Sequence, residues 1–206
     1  METGLLRTAH IAAGLLFALA LTQALYTALY LAEIKVPRHL LWGIEALLFT
    51  VLAAFAGAAL VQAKHYHLGW SAIAVSAVLN VVQVSVGLTM FGPFREAASQ
   101  IEAFKPAAGA VVAFSFMVYY AAKLLLGLAA LIFGMAKLNG GAKVLGGLTA
   151  LLGVVAMLAN ATVLVFGRDA FLPSSVAGGS GVVATLLLAL CLTVAIRGEQ
   201  ESINEQ

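Results

Sequence analysis

The sequence predicts an all-α integral membrane protein, built as a bundle of about six transmembrane helices. Three observations predict it: the composition, six long apolar segments, and the absence of apolar–polar alternation. Of the 206 residues, 63% are hydrophobic and 10% are charged, and the mean hydropathy is +1.04. Soluble domains average about 45–50% apolar and about 25% charged residues. A soluble fold of this length could not hide so much apolar surface from water, whereas lipid removes that limit.

Six segments are long enough to cross a bilayer, because a helix needs about 20 apolar residues to span the hydrocarbon core. They cover residues 8–32, 40–63, 69–91, 110–136, 143–166 and 175–196. Transmembrane β-strands would instead be about ten residues long with alternating polarity. The whole chain, 1–206, is therefore predicted to form a single transmembrane domain.

Charged residues and prolines mark the ends of the first three spans. The first begins after Arg7, and its length of about 25 residues exceeds the roughly 7–15-residue apolar region of a signal peptide, so it is expected to be retained. The second lies between Pro37 and Lys64. The third is predicted to end at Pro93, because proline lacks the backbone N–H that a continuing helix needs.

Turn residues mark the ends of the last three spans. Residues 94–105 are predicted to form either an ordered loop or a short helix along the membrane surface. An Asn-Gly-Gly turn at 139–141 ends the fourth span, and the sixth begins after Pro173. Small surfaces that let helices approach closely are expected at Gly57, Gly146, Gly147 and Gly153.

The loop charges do not orient the chain. Both termini and the loops 64–68 and 137–143 fall on one side of the membrane, here called side A. The loops 33–39, 92–109 and 167–174 fall on the other, side B. Each side carries five Lys or Arg residues, so the positive-inside rule favours neither orientation of the chain. Because the longer, mixed-charge loops of side B are typical of external loops, we expect both termini in the cytoplasm, in a prokaryotic inner membrane.

Polar side chains collect at one depth within the spans. Amide and charged groups are costly in hydrocarbon, so their placement is informative. Five spans place such groups in the half of the membrane nearest side B, whereas the side A half holds little beyond Ala, Gly, Leu and Thr. The sequence therefore predicts a polar cavity open to side B and lined by Gln23, Tyr26, Tyr30, Glu45, Asn80, Gln83, Tyr119, Lys123 and Asn160.

Glu45 and Lys123 are the only acidic and basic residues well inside the spans. Either charge alone costs about 2.5–3.5 kcal/mol on insertion scales, so we expect the two to form an ion pair inside the cavity. Lys123 would then serve an anionic ligand group or proton coupling, and Glu45 would be the protonation site. Three alternatives stay open: a pair that only fixes helix register, tyrosines that form an interfacial belt, and amides that join helices.

The sequence offers little for cofactors or catalysis. A haem held by His10 with His65 or His67 is conceivable but disfavoured, because paired histidines in a short loop are more often simply solvated. No metal site and no cofactor are expected, and no catalytic residue is assigned, since Ser/His/Asp and HExxH arrangements are missing. The net charge of +2, with no basic run, excludes nucleic-acid binding.

Three functions remain. The favoured one is binding or translocation of a small molecule or ion through the one-sided cavity. The second is a non-catalytic structural subunit of a larger membrane complex. The third, a membrane-embedded enzyme acting on a lipid or quinone, is less favoured. The expected partners are the lipid bilayer, the small ligand or ion, and either further copies of the chain or other subunits.

Overall fold

The computed structural model describes residues 2–34, 38–139, 141–167 and 170–204, with side chains for residues 4–29, 32–34, 38–139, 141–167 and 170–193. Its helices are α1 (Glu2–Leu31), α2 (Arg38–Gln62), α3 (His67–Gln100), α4 (Lys105–Asn139), α5 (Lys143–Phe166) and α6 (Ser174–Asn204). Each contains a segment long and apolar enough to cross a membrane. The described residues include no strand, and the predicted fold class, an all-α bundle of six membrane-spanning helices, is confirmed.

Pro93 does not end a helix, contrary to the prediction. α3 continues through it to Gln100. Gly92 and Pro93 are both exposed, so the proline ring meets no packed neighbour and the carbonyl freed by the missing N–H can be solvated. Ile101, in extended backbone with φ −130° and ψ 112°, ends the helix, and a short 3-10 turn at Glu102–Phe104 leads into α4.

The paired helices α3 and α4 are longer than the hydrocarbon core of a bilayer is thick. They contain 34 and 35 residues, which at 1.5 Å per residue gives about 50 Å, against about 30 Å for the hydrocarbon. A contact between Gln83 and Ser115 joins the two helices. The part beyond this contact, residues 83–115, is called the α3–α4 hairpin below.

Five of the helices form a closed ring. α1 packs on α2 and α6, α2 packs on α3, α3 packs on α4, and α4 packs on α6. α5 lies outside this ring, in the angle between α4 and α6. The interior of the ring is therefore lined mainly by the other five helices, and α5 adds Ala156 to the core. This arrangement decides which polar residues can meet there.

Glycines bring α4 and α5 into backbone contact. A Cβ atom at Gly134 would lie 2.5 Å from the Ala150 nitrogen, and one at Gly153 would lie 2.7 Å from the Gly127 carbonyl oxygen. Close backbone approach of this kind strengthens van der Waals packing between membrane helices. Gly146 and Gly153 thus act as the sequence predicted, whereas a Cβ atom at Gly57 would meet nothing within 4 Å.

An apolar core fills the side A half of the ring. It contains a large buried side chain from every ring helix, and small alanines between them. Its largest fully buried members are Leu16, Leu19, Phe49, Leu52, Ile73, Leu126 and Leu188, all at most 1% exposed. These side chains pack on one another in one continuous cluster.

Candidate functional site

Buried polar side chains from four ring helices lie directly above the apolar core, towards side B. They are Gln23 of α1, Glu45 of α2, Asn80 of α3 and Lys123 of α4, with 8%, 5%, 0% and 0% of their surface exposed. We call these four residues the polar layer. Each ring helix except α6 contributes one member, and α6 contributes Gly181 beside the lysine.

Helical periodicity places the layer on top of the core. Gln23 lies one turn after the buried Leu19, and Lys123 lies one turn before the buried Leu126. Residues three or four apart share a helix face, so the faces that bury the core also carry the polar groups inwards. The layer is therefore a continuation of the core surface, and its groups face the ring interior rather than lipid.

Neutral groups hold the ammonium of Lys123. Its Nζ donates a hydrogen bond to Gln23 Oε1 at 2.5 Å, and lies 5.3 Å from the centroid of the Tyr119 ring. The aliphatic part packs against α6, where a Cβ atom at Gly181 would lie 2.8 Å from Lys123 Cδ. An amide oxygen and an aromatic face both favour a cation, so the lysine is solvated by the protein itself.

The direct ion pair between Glu45 and Lys123 that the sequence predicted does not form among the described residues. The two charges are close enough to interact electrostatically, and the Thr22 side chain lies beside the carboxyl group. The Glu45 Oε1 atom is nevertheless buried without a hydrogen-bond partner. The reason is topological: because α4 packs on α6 and α6 packs on α1, the lysine side chain follows α6 and reaches Gln23 on α1.

Asn80 contributes a second unpaired acceptor to the layer. Its Nδ2 donates to the Ser76 carbonyl at 2.9 Å, and the Ser76 hydroxyl donates to the Ala122 carbonyl of α4 at 2.8 Å. These bonds satisfy the nitrogen, whereas Asn80 Oδ1 is buried and has no partner. A buried acceptor left unpaired costs about 1–3 kcal/mol. The layer holds two such acceptors, Oε1 of Glu45 and Oδ1 of Asn80. Both lie in the layer that also contains the Lys123 ammonium, which has further N–H donors.

Other residues predicted to line the cavity lie nearer side B. Gln83 Nε2 lies 3.5 Å from the Ser115 hydroxyl, which in turn donates to the Gln83 carbonyl at 3.2 Å. The Tyr26 ring packs against Trp42, with centroids 5.6 Å apart. The Tyr30 side chain falls outside the described residues. Gln83 therefore joins α3 to α4, and Tyr26 packs in an aromatic cluster.

Asn160 does not join the polar layer, contrary to the prediction. It lies on α5, outside the ring, and its Nδ2 donates to the Ala156 carbonyl at 2.7 Å and to the Ala177 carbonyl of α6 at 3.1 Å. Its Oδ1 is buried without a partner. The residue lies beside a separate apolar cluster, which contains its neighbour Ala159 and its hydrogen-bond partner Ala177. Periodicity along α5 fixes the depth of Asn160 but not the helix it faces.

The three histidines considered for a haem, His10, His65 and His67, lie at the opposite end of the molecule from the polar layer. His10 Nδ1 lies 3.1 Å from the Leu6 carbonyl, and His67 Nδ1 lies 3.1 Å from the Leu60 carbonyl; both side chains are exposed at side A. Across the described ranges, no three His, Cys, Asp or Glu side chains come together in a way that could hold a metal ion.

Trp42 and Phe91, which the sequence did not single out, form an aromatic cluster with the predicted Tyr26 over α1, α2 and α3. Trp42 contacts Tyr26 and lies 5.9 Å from the Phe91 ring, while the Arg38 guanidinium lies 5.8 Å from the indole centroid. The indole also packs against Gly87. The sequence places these aromatic residues at the same depth, near side B. That pattern is equally typical of an aromatic belt at the membrane interface, so it does not by itself predict a cluster.

Replacing Gln23 with leucine is expected to lower the free energy of unfolding by about 1.5–3 kcal/mol, the range for a hydrogen bond to a charged group. The substitution removes the acceptor of Lys123 Nζ and leaves the buried ammonium beside the Tyr119 ring without that hydrogen bond. Equilibrium unfolding in detergent measures the change. Gln100→Leu, at the exposed end of α3, is the matched control, and equal losses in both variants would contradict the assigned contact.

The geometry supports two kinds of chemistry at the polar layer. The lysine ammonium presents N–H donors, and Oε1 of Glu45 and Oδ1 of Asn80 are acceptors without a protein partner. Such a set suits ions, protons or small polar molecules. At most 8% of the surface of each member is exposed, and none of the four lines the pocket between α3, α4 and α5. The chain matches no protein-family model, no curated protein and no solved structure in comparisons with each.

Proposed function

We propose that this membrane protein binds a small molecule or ion that enters from side B, with the polar layer as the binding and coupling site. One observation carries the proposal. Lys123 and Glu45 occupy the same buried layer, yet neither neutralises the other by direct contact, and Glu45 Oε1 has no hydrogen-bond partner.

Energetics argue against a purely structural role for these two residues. A charge at mid-membrane costs about 2.5–3.5 kcal/mol, and close contact between opposite charges is the arrangement that offsets most of that cost. A pair retained only to fix helix register would be expected in contact. The separated arrangement leaves donors and acceptors that a guest can use, so binding would relieve a cost that the resting bundle carries.

The chemistry of the layer narrows the ligand. Lys123 N–H groups favour an anionic or strongly accepting group, while the free oxygens of Glu45 and Asn80 favour a cation or an N–H or O–H donor. A zwitterion, or an anion accompanied by a proton, would satisfy both sets. Translocation requires in addition that the side A core open, so one-sided binding is the first step. In this proposal side B is the external face of a prokaryotic inner membrane.

A ligand panel tests the proposal. Thermal unfolding of the purified protein would be followed with sodium, potassium, phosphate, short carboxylates and amino acids. We expect at least one of these solutes to stabilise the wild type, by about 2.7 kcal/mol at a hundred times its Kd. Glu45→Gln and Lys123→Met should lose the response, whereas Lys143→Met, at an exposed lysine, should keep it.

Two outcomes would count against the proposal. If both layer variants keep every response of the wild type, the ligand binds elsewhere. If no solute stabilises the protein, and native mass spectrometry of the gently purified protein shows a stoichiometric partner chain, the structural-subunit alternative is favoured.

A further inference from the structure

A second site candidate lies apart from the polar layer, along the side B half of α4. It is a groove of about 990 Å³ between the α3–α4 hairpin, the end of α5 and the residues that lead into α6. Binding sites for organic molecules typically measure about 300–1,000 Å³. The groove is therefore large enough for a molecule much bigger than an ion.

The groove changes character along its length. Its outer end carries Arg95 of α3 and Lys105 of α4, whereas its inner end is formed by Met117, Tyr120 and Val163. Along α4 the lining residues recur every three or four positions from Lys105 to Tyr120, so one face of the helix forms the wall. The groove thus has a cationic outer end and an apolar inner end, which is the polarity of an anionic amphiphile.

The length of the groove matches a lipid molecule. Lys105 and Tyr120 are 15 residues apart on one helix, which corresponds to about 22 Å. One leaflet of a bilayer, with its head groups, is about 20–22 Å deep, half of the full 40–45 Å. A lipid of the side B leaflet can therefore lie along α4 with its chains inwards and its head group at the two cations.

The charges at the outer end favour an anionic head group. Both charged residues among the described lining residues are basic. Lys105 Nζ is bound to Glu102 at 3.0 Å, whereas Arg95 is exposed and makes no ion pair within the described ranges. A guanidinium can bind a phosphate through two parallel hydrogen bonds, so Arg95 is the stronger anchor.

We propose that the groove is a specific site for an anionic phospholipid of the side B leaflet. The phosphate binds Arg95, with Lys105 beside it, and an acyl chain lies along α4 as far as Tyr120. Tyr120 contacts Tyr119, whose ring faces Lys123, so the bound chain ends next to the helix turn that carries the polar layer. The lipid site does not depend on the polar layer's own ligand.

Native mass spectrometry with defined lipids tests this site. Delipidated protein in detergent would receive equal amounts of phosphatidylglycerol and phosphatidylcholine with identical acyl chains. We expect one phosphatidylglycerol to be retained in preference, and Arg95→Gln to weaken its retention by at least about tenfold, or 1.4 kcal/mol. Arg38→Gln, an exposed arginine on side B outside the groove, is the matched control and should retain the lipid.

A second variant tests the acyl chain separately. Ala113→Trp fills the middle of the groove without changing its charge, and should also abolish preferential retention while helix content stays unchanged. Glycerol 3-phosphate, the head group without chains, should not displace the lipid. Equal losses in Arg95→Gln and Arg38→Gln, unchanged retention in Ala113→Trp, or displacement by glycerol 3-phosphate would each overturn the proposal. All three readouts are independent of solute binding at the polar layer.

Discussion

Lys123→Met is expected to lower the free energy of unfolding by about 3–5 kcal/mol, the cost of leaving one member of a buried charge pair without the other. Methionine keeps most of the aliphatic stem that packs against Gly181, so the loss reports on the charge rather than on a cavity. Glu45 would then lie buried in a layer without a cation, with its Oε1 atom still unpaired.

A double-mutant cycle decides whether the two charges act on each other. Glu45→Gln and Lys123→Met are measured singly and together by equilibrium unfolding in detergent. We expect the double variant to be more stable than the sum of the single losses predicts, by about 0.5–3 kcal/mol, the range for coupled residues.

The matched control for this cycle is Lys143→Met, an exposed lysine whose loss should stay within about 0.5 kcal/mol. Strict additivity of the two layer substitutions would show that Lys123 and Glu45 are energetically independent, despite their shared layer. The double variant should fold without responding to the ligand panel, which separates stability from binding.

Gly134→Val is expected to destabilise the bundle by at least about 1–3 kcal/mol, the usual cost of overpacking. The first added carbon would already lie 2.5 Å from the Ala150 nitrogen and 2.8 Å from the Gly146 carbonyl oxygen. Both neighbours are backbone atoms of α5, so no side chain can rotate away and the two helices must separate.

Gly57→Val is the control for Gly134→Val, because a Cβ atom there meets nothing within 4 Å. It should leave stability within about 0.5 kcal/mol of the wild type. Thermal unfolding of both variants in the same detergent gives the comparison. If the two substitutions have the same effect, the α4–α5 contact is not close-packed as described.

The predicted end of the third helix was wrong. Pro93 was expected to end the third helix, because proline removes a hydrogen bond and restricts its neighbours. α3 instead extends to Gln100. The cost of one missing bond is small where the residue is exposed, and the longer helix allows α3 to pack along α4 within the hairpin. A local penalty was outweighed by a tertiary contact that spacing along the chain does not reveal.

The site was anticipated in its depth but only partly in its contacts. Periodicity put Gln23, Glu45, Asn80 and Lys123 at one level, and the structure brings them into one layer. Periodicity did not show that Lys123 would reach Gln23 rather than Glu45, or that Asn160 would face α6 from outside the ring. Depth follows from the rise per residue, whereas pairing depends on which helices are neighbours.

The sequence by itself determined that this protein spans the membrane six times, with an apolar half towards side A and polar groups towards side B. Those properties follow from hydrophobicity and helical rise, which are local quantities. Only the tertiary structure decided the five-helix ring, the exclusion of α5 from it, the separation of Glu45 from Lys123 and the groove along α4. Each of these depends on contacts between residues far apart in the chain, and the close approach at Gly127, Gly134 and Gly153 shows how small residues select those contacts.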